Sequence, residues 1–198
     1  IKVSLKMELT KNIKQTKLLK YIFLALIGTI ILAISSKIKI PFYPVPMTMQ
    51  TLVVLSVGVI LGWKLGLVTI MLYLFEGLIG LPVFAGTPEK GIGITYFTGP
   101  TMGYLLGFIP AVFFAGFFKI NEKYNLFYKI IFNFIFLTIS VSLIYIFGLI
   151  WLYNFVPLDK LWILGALPFL PAELFKISIL TLCISLFGKS ILSWRSFR

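Results

Sequence analysis

Long apolar segments separated by short polar ones dominate this chain. Windows of about 20 apolar residues identify candidate membrane-spanning helices. There are six of them, at residues 18–36, 49–62, 64–81, 100–118, 127–152 and 171–188. The second follows residues 40–46, where three prolines fix φ and remove backbone donors, so that regular helix is prevented there. The pattern predicts an all-α polytopic membrane protein with six transmembrane helices.

Composition supports this interpretation. Hydrophobic residues make up 60% of the chain and charged residues only 12%, whereas a soluble domain has about 25% charged residues. The net charge of +12 would suit a nucleic-acid partner, but the basic residues lie between apolar segments and at both ends, as membrane topology requires. We therefore expect membrane lipid around the chain and no nucleic acid. No polar linker divides the apolar blocks, so residues 1–198 are predicted to form one domain.

The distribution of lysine and arginine predicts the orientation. With residues 1–17 as a cytoplasmic segment, 13 basic residues fall on the inner side: Lys2, Lys6, Lys11, Lys14, Lys17, Lys20, Lys64, Lys119, Lys123, Lys129, Lys189, Arg195 and Arg198. Four fall on the outer side: Lys37, Lys39, Lys90 and Lys160. Positively charged loops stay in the cytoplasm, so both termini are predicted to lie on the cytoplasmic side of the plasma (inner) membrane.

The sequence lacks residues that catalytic, metal-binding and nucleotide-binding sites commonly use. The chain has no histidine, one aspartate (Asp159) and one cysteine (Cys183). Gly188-Lys189-Ser190 resembles the end of a phosphate-binding loop, but Cys183 stands where that pattern needs glycine. We therefore expect no catalytic site, no metal and no cofactor. If nucleotide energises the protein, another subunit must supply it.

Two opposite charges lie in the last apolar segment. Glu173 and Lys176 are three residues apart, so they share one face of a helix. A charge at mid-bilayer costs roughly 2.5–3.5 kcal/mol and usually serves a function. Lys176 precedes Lys189 by 13 residues, which is about 20 Å of helix in a hydrocarbon core about 30 Å thick. The pair is thus predicted to lie in the outer half, in a site that opens outward.

Other candidates also fall in the outer half. The glycine-rich loop 81–99 contains Lys90. It either folds over a pocket and offers Lys90 and backbone amides to an anion, or it is an ordinary flexible loop. The segment 99–101 then starts a helix, whose N-terminus attracts negative groups.

Three polar residues of the second and third segments are further candidates. Glu76 and Tyr73 share a face of the third segment. Glu76 either faces the bundle interior or snorkels to the surface. Gln50 either binds a ligand amide or caps its own helix.

Small residues recur on the first apolar segment. Ala25, Thr29 and Ala33 are spaced by four and lie next to Gly28. This spacing allows another helix to approach closely. The approaching helix is either internal or part of a partner protein.

Five sequence blocks together carry a family resemblance. They are residues 44–52, 61–66, 77–86, 99–108 and 168–176. In these blocks the chain resembles the BioY family, the biotin-specific substrate-binding (S) components of energy-coupling factor (ECF) transporters. The resemblance implies a six-helix membrane protein that binds biotin from outside. It also implies a transmembrane coupling protein and two ATPase subunits as partners, although some members work without them.

The resemblance also implies roles for particular residues. The family's acid and lysine on the last helix correspond to Glu173 and Lys176, although the family acid is usually aspartate. A basic loop residue corresponds to Lys90, and a polar position on the third helix to Glu76. Tyr104, in the block 99–108, is a further candidate for substrate binding. On the first helix, Ala25, Thr29 and Ala33 correspond in part to the alanine pair that faces the coupling protein.

Biotin chemistry suits these candidates. Its ureido ring has one carbonyl acceptor and two N–H donors, which match a lysine and a carboxylate, and the rest needs apolar walls and an anion site. We expect Glu173 and Lys176 at the ring, and Lys90 with residues 99–101 at the carboxylate. The opposite docking direction stays open. The alternatives are an S component for thiamine or riboflavin, or a scaffold subunit that binds no small ligand.

Overall fold

The computed structural model describes the backbone of residues 2–41, 47–118 and 124–196, and most of the proline segment lies outside these ranges. Its helices are α1 (Lys2–Lys37), α2 (Gln50–Leu78), α3 (Ile94–Phe97), α4 (Met102–Ala115), α5 (Leu126–Leu152), α6 (Leu158–Gly165) and α7 (Leu170–Ser196), with a 3₁₀ turn at Leu167–Phe169. The strands β1 (Lys39–Ile40) and β2 (Met47–Thr48) form one antiparallel pair. The all-α prediction is confirmed.

The described residues include four helices that are long and apolar enough to cross a membrane. They are Gln15–Lys37, Gln50–Leu78, Leu126–Leu152 and Leu158–Gly188, and α4 is a shorter apolar helix. The exact number of six spans stays a prediction.

Gly62 divides α2 into two halves. Its φ of 73° and ψ of 167° are not helical, and this region of backbone space is essentially restricted to glycine. A straight helix would place Gln50 and Tyr73 about 35 Å apart, yet the Gln50 Nε2 donates a hydrogen bond to the Tyr73 hydroxyl at 2.8 Å. The chain therefore reverses at Gly62 and the two halves lie side by side. The reversal falls between the second and third predicted segments.

Glycines bring α4 and α5 close together. A Cβ at Gly107 would lie 2.7 Å from the Ile144 Cα, and a Cβ at Gly103 would overlap the Trp151 side chain. Small residues four apart on a helix let a neighbouring helix approach closely. The structure places a helix there.

The small-residue face of α1 points into the chain. Ala25 and Thr29 are only 2% and 1% exposed, Ala33 is half-buried, and the Thr29 hydroxyl donates to Glu76 of α2 at 2.9 Å. The opposite face carries exposed apolar side chains, among them Ile22, Phe23, Leu26, Ile30 and Ile34. The close-packing face of α1 thus contacts α2, and the residues predicted to face a partner protein are largely covered by the chain itself.

Candidate functional site

A cavity of about 370 Å³ lies where the start of α2, the start of α4, the middle of α5 and the start of α7 meet. Polar side chains in its lining come from different elements and include Gln50, Thr51, Tyr96, Tyr104, Glu173 and Lys176. Apolar side chains such as Phe108 and Ile144 form other walls. The cavity therefore combines apolar surface with a few convergent polar groups, as small-ligand sites do.

A larger groove elsewhere lacks this combination. It has a volume of about 490 Å³ and lies between α1 and the Gly62 reversal. Its lining includes Trp63 and Lys64 but no carboxylate. The 370 Å³ cavity is therefore the stronger candidate for a ligand with both donors and acceptors.

Glu173 and Lys176 form a buried ion pair at this cavity. The Lys176 Nζ lies 2.9 Å from the Glu173 Oε1, and the two residues are 3% and 4% exposed. Their i, i+3 spacing on α7 brings the charges together. A buried pair must also satisfy its remaining hydrogen-bonding groups, because its desolvation is expensive.

Thr51 of α2 provides some of the hydrogen bonds that the buried pair needs. Its hydroxyl oxygen lies 2.9 and 3.0 Å from the two carboxylate oxygens of Glu173, and accepts a hydrogen bond from the Lys176 Nζ at 2.9 Å. The Tyr145 hydroxyl adds a longer contact of 3.4 Å to the same carboxylate. Sequence reasoning missed Thr51 and Tyr145. The available signal for Thr51 was its position next to Gln50 in the block 44–52.

Tyr73 supports Gln50 from behind the cavity. It accepts the hydrogen bond of the Gln50 amide and donates to the Val83 carbonyl at 2.8 Å. Tyr73 is fully buried and does not line the cavity. It holds the Gln50 side chain in place.

Aromatic side chains form one wall of the cavity. The Tyr104 hydroxyl donates to the Gly165 carbonyl at 2.6 Å, and its ring meets Tyr145 edge to face. Tyr96 donates to the Ala85 carbonyl at 2.9 Å. Burial raises the pKa of the Tyr96 hydroxyl, and a hydrogen bond with Thr101 offsets part of the rise. The Tyr96 hydroxyl therefore stays protonated and remains a donor.

Two more predicted site residues, besides Tyr73, lie outside the lining of this cavity. Glu76 is half-buried and accepts the Thr29 hydrogen bond between α1 and α2. Lys90 is exposed and its stem lies beside Gly86. The structure brings together Gln50, Tyr104, Glu173 and Lys176, and it places Glu76 and Lys90 apart from them.

Comparison with known proteins gives the family. Residues 7–192 match the family model described as the BioY family. The chain belongs to the BioY family.

Similar proteins in the family are named biotin transporters. A probable biotin transporter BioY of Pyrococcus horikoshii is 36% identical over 146 residues, which cover 73% of this chain and 81% of the relative. Biotin transporter BioY2 of Lactococcus lactis subsp. cremoris is 35% identical over 173 residues, or 85% and 90% of the two chains. The crystal structure of the S-component for biotin from an ECF-type ABC transporter is also similar. Its TM-score is 0.69 at 29% identity, covering 88% of this BioY chain and 93% of that chain.

These findings confirm the family resemblance and the multi-pass membrane architecture.

Proposed function

We propose that this BioY-family protein is the biotin-binding S component of an ECF-type transporter and takes up biotin across the plasma membrane. The observation that carries the proposal is the buried Glu173–Lys176 pair, bonded to Thr51, in a cavity of ligand size. A membrane protein rarely keeps two charges in its interior without a use for them.

The ureido ring of biotin fits this polar cluster. The Glu173 carboxylate has two oxygens that accept hydrogen bonds, and its Oε2 has Thr51 as its donor in this structure. The ureido N–H groups can donate to that carboxylate while Lys176 or Thr51 donates to the ureido carbonyl. Glu173, Lys176 and Thr51 hydrogen-bond to one another when no ring is bound. The ureido ring would replace some of these hydrogen bonds with its own, and the two charges would stay paired.

The rest of biotin fits the remaining walls. Leu105, Phe108 and Ile144 offer apolar surface to the thioether ring and the valerate chain. Pro100 and Thr101 line the cavity just before α4 begins, where helix N–H groups favour an anion. We assign the biotin carboxylate to that end of the cavity. Lys90 lies outside the lining and would act on the carboxylate only from a distance.

Transport requires partners as well as a binding site. We propose that a transmembrane coupling protein and two ATPase subunits work with this chain, because its sequence has no phosphate-binding loop of its own. Labelled-biotin uptake should be measured in cells that express the chain with and without such a module. Uptake that rises with the module supports the proposal, and equal uptake in both contradicts it.

Biotin should bind the purified protein saturably with one site per chain. Isothermal titration in detergent measures this directly, with thiamine and riboflavin as matched controls that should give no binding heat. Binding of thiamine or riboflavin instead of biotin would assign the chain to another vitamin. No binding by any of them would favour the scaffold alternative.

Removing the Thr51 hydroxyl should weaken biotin binding moderately. Thr51→Val keeps the shape but removes the group that bridges Glu173 and Lys176. We expect about a three- to tenfold higher Kd, because the hydrogen bond that this hydroxyl can donate to the ureido carbonyl is a neutral one, worth ~0.5–1.5 kcal/mol. Thr51→Ser retains the hydroxyl and should bind nearly as the parent does. Equal affinities for the valine and serine variants would exclude a role of the hydroxyl.

A further inference from the structure

Side chains from α1 hold the loop segment 83–87. Lys37, the last residue of α1, donates hydrogen bonds from its Nζ to the Phe84 carbonyl (2.8 Å), the Thr87 carbonyl (2.8 Å) and the Thr87 hydroxyl (2.7 Å). An ammonium group has three N–H donors. All three therefore bind one short segment of the loop.

The ammonium binds this segment through dipoles and not through an ion pair. Among the residues that the structure describes, no carboxylate forms a salt bridge with Lys37. Its charge lies at the C-terminus of α1, where the helix dipole favours a cation. Lys37 thus ties two carbonyls of the loop to the end of α1.

Ser36 adds a second connection from α1. Its hydroxyl oxygen lies 2.7 Å from the Val83 carbonyl oxygen and 2.8 Å from that of Ala33. Val83 also accepts the hydrogen bond of Tyr73, and Tyr73 in turn holds the Gln50 amide at the cavity. A chain of hydrogen bonds therefore runs from α1 through the loop to a cavity-lining side chain.

Phe84 fixes the segment from the other side. It is 1% exposed, and its ring packs against Tyr73 and Tyr96 with centroids 5.2 and 4.9 Å away. A Cβ at Gly77 would overlap this ring. The next residue, Ala85, lines the cavity and accepts the Tyr96 hydrogen bond. The position of the loop backbone thus sets the position of one cavity wall.

We propose that Ser36 and Lys37 are positioning residues for ligand binding. They contact no part of the cavity themselves and act through segment 83–87, which carries the Ala85 wall and the carbonyl that orients Tyr73 and Gln50. The proposal rests on the proposed biotin-binding function. It implies that a ligand leaves faster when the loop is released from α1.

The test compares Lys37→Met with Lys39→Met. Methionine keeps an apolar stem of similar length but has no ammonium, and Lys39 is an exposed lysine on the neighbouring strand. Lys37→Met should raise the biotin dissociation rate about tenfold with little change in the association rate, since altered contacts act mainly on dissociation. Lys37→Arg should recover part of the loss, and Lys39→Met should leave both rates unchanged.

Amide hydrogen exchange of the ligand-free proteins provides a readout that does not depend on biotin. Exchange in residues 83–91 should accelerate in Lys37→Met and stay the same in Lys39→Met. A lower melting temperature with unchanged dissociation and exchange rates would show a merely structural role and overturn the proposal. If Lys37→Met fails to fold, Ser36→Ala removes a single hydroxyl and should raise the dissociation rate about threefold; an unchanged rate overturns the proposal.

Biotin binding by the unsubstituted protein distinguishes the proposed function from the positioning role of Ser36 and Lys37. If it does not bind biotin, the proposed function fails. If it binds biotin and Lys37→Met releases it at the same rate, the proposed function stands and only the positioning role is overturned.

Discussion

Lys176→Met should remove most of the affinity for biotin. The substitution deletes a charged donor that lies 2.9 Å from both Glu173 and Thr51. Because a hydrogen bond to a charged group is worth ~1.5–3 kcal/mol, we expect the Kd to rise at least about tenfold. Isothermal titration of the folded variant measures the change, and Lys160→Met, at an exposed lysine of α6, should bind as the parent does.

Stability must be separated from binding in that experiment. Lys176→Met leaves the Glu173 carboxylate buried without its cation, and breaking a buried pair from one side costs about 3–5 kcal/mol. The double variant Glu173→Gln/Lys176→Met removes the unpaired charge and should recover much of the stability, but not the binding. If the double variant bound biotin as tightly as the parent does, the pair would not be part of the ligand site.

Gly62→Ala should destabilise the whole fold. Residue 62 has φ 73° and ψ 167°, where a Cβ is strained, and such strain costs of order 1–3 kcal/mol. The reversal at this residue places Gln50 opposite Tyr73, so we also expect weaker biotin binding. Thermal unfolding in detergent, followed by titration below the melting temperature, measures both effects.

Val68→Ala provides the matched control on the same helix. Val68 is exposed on the second half of α2, and its truncation leaves the Gly62 backbone untouched. Its melting temperature should stay close to that of the parent. If Gly62→Ala has the same melting temperature as Val68→Ala, the backbone at residue 62 can accommodate a Cβ without strain.

The local features of this fold were predictable from the sequence. Glu173 and Lys176 could be paired because an i, i+3 spacing fixes their proximity as soon as the segment is helical. The boundary at residues 62–64 followed from two adjacent apolar segments that meet at Gly62 and Trp63. Both inferences need only the geometry of a single helix.

Contacts between distant segments were not predictable in the same way. Thr51 and Lys176 are 125 residues apart, and apart from its position next to Gln50 nothing in the sequence distinguishes Thr51. The spacing of Ala25 and Thr29 indicated a close-packed face but could not identify the neighbour, which is α2. From the sequence, Lys37 contributed only to the prediction of membrane orientation. Its three acceptors could not be predicted, because they lie about 50 residues further along the chain.

The ion pair at the cavity has no net charge, and this affects the energy of transport across the membrane. Among the cavity-lining residues that the structure describes, one carboxylate balances one ammonium, so the empty site carries no net charge into the membrane field. Biotin would add its own carboxylate and make the loaded site anionic. Because the cell interior is negative, carrying that charge through the full field costs about 2.3 kcal/mol per 100 mV. Uptake of biotin as an anion must therefore overcome the membrane voltage, whatever the biotin concentrations on the two sides.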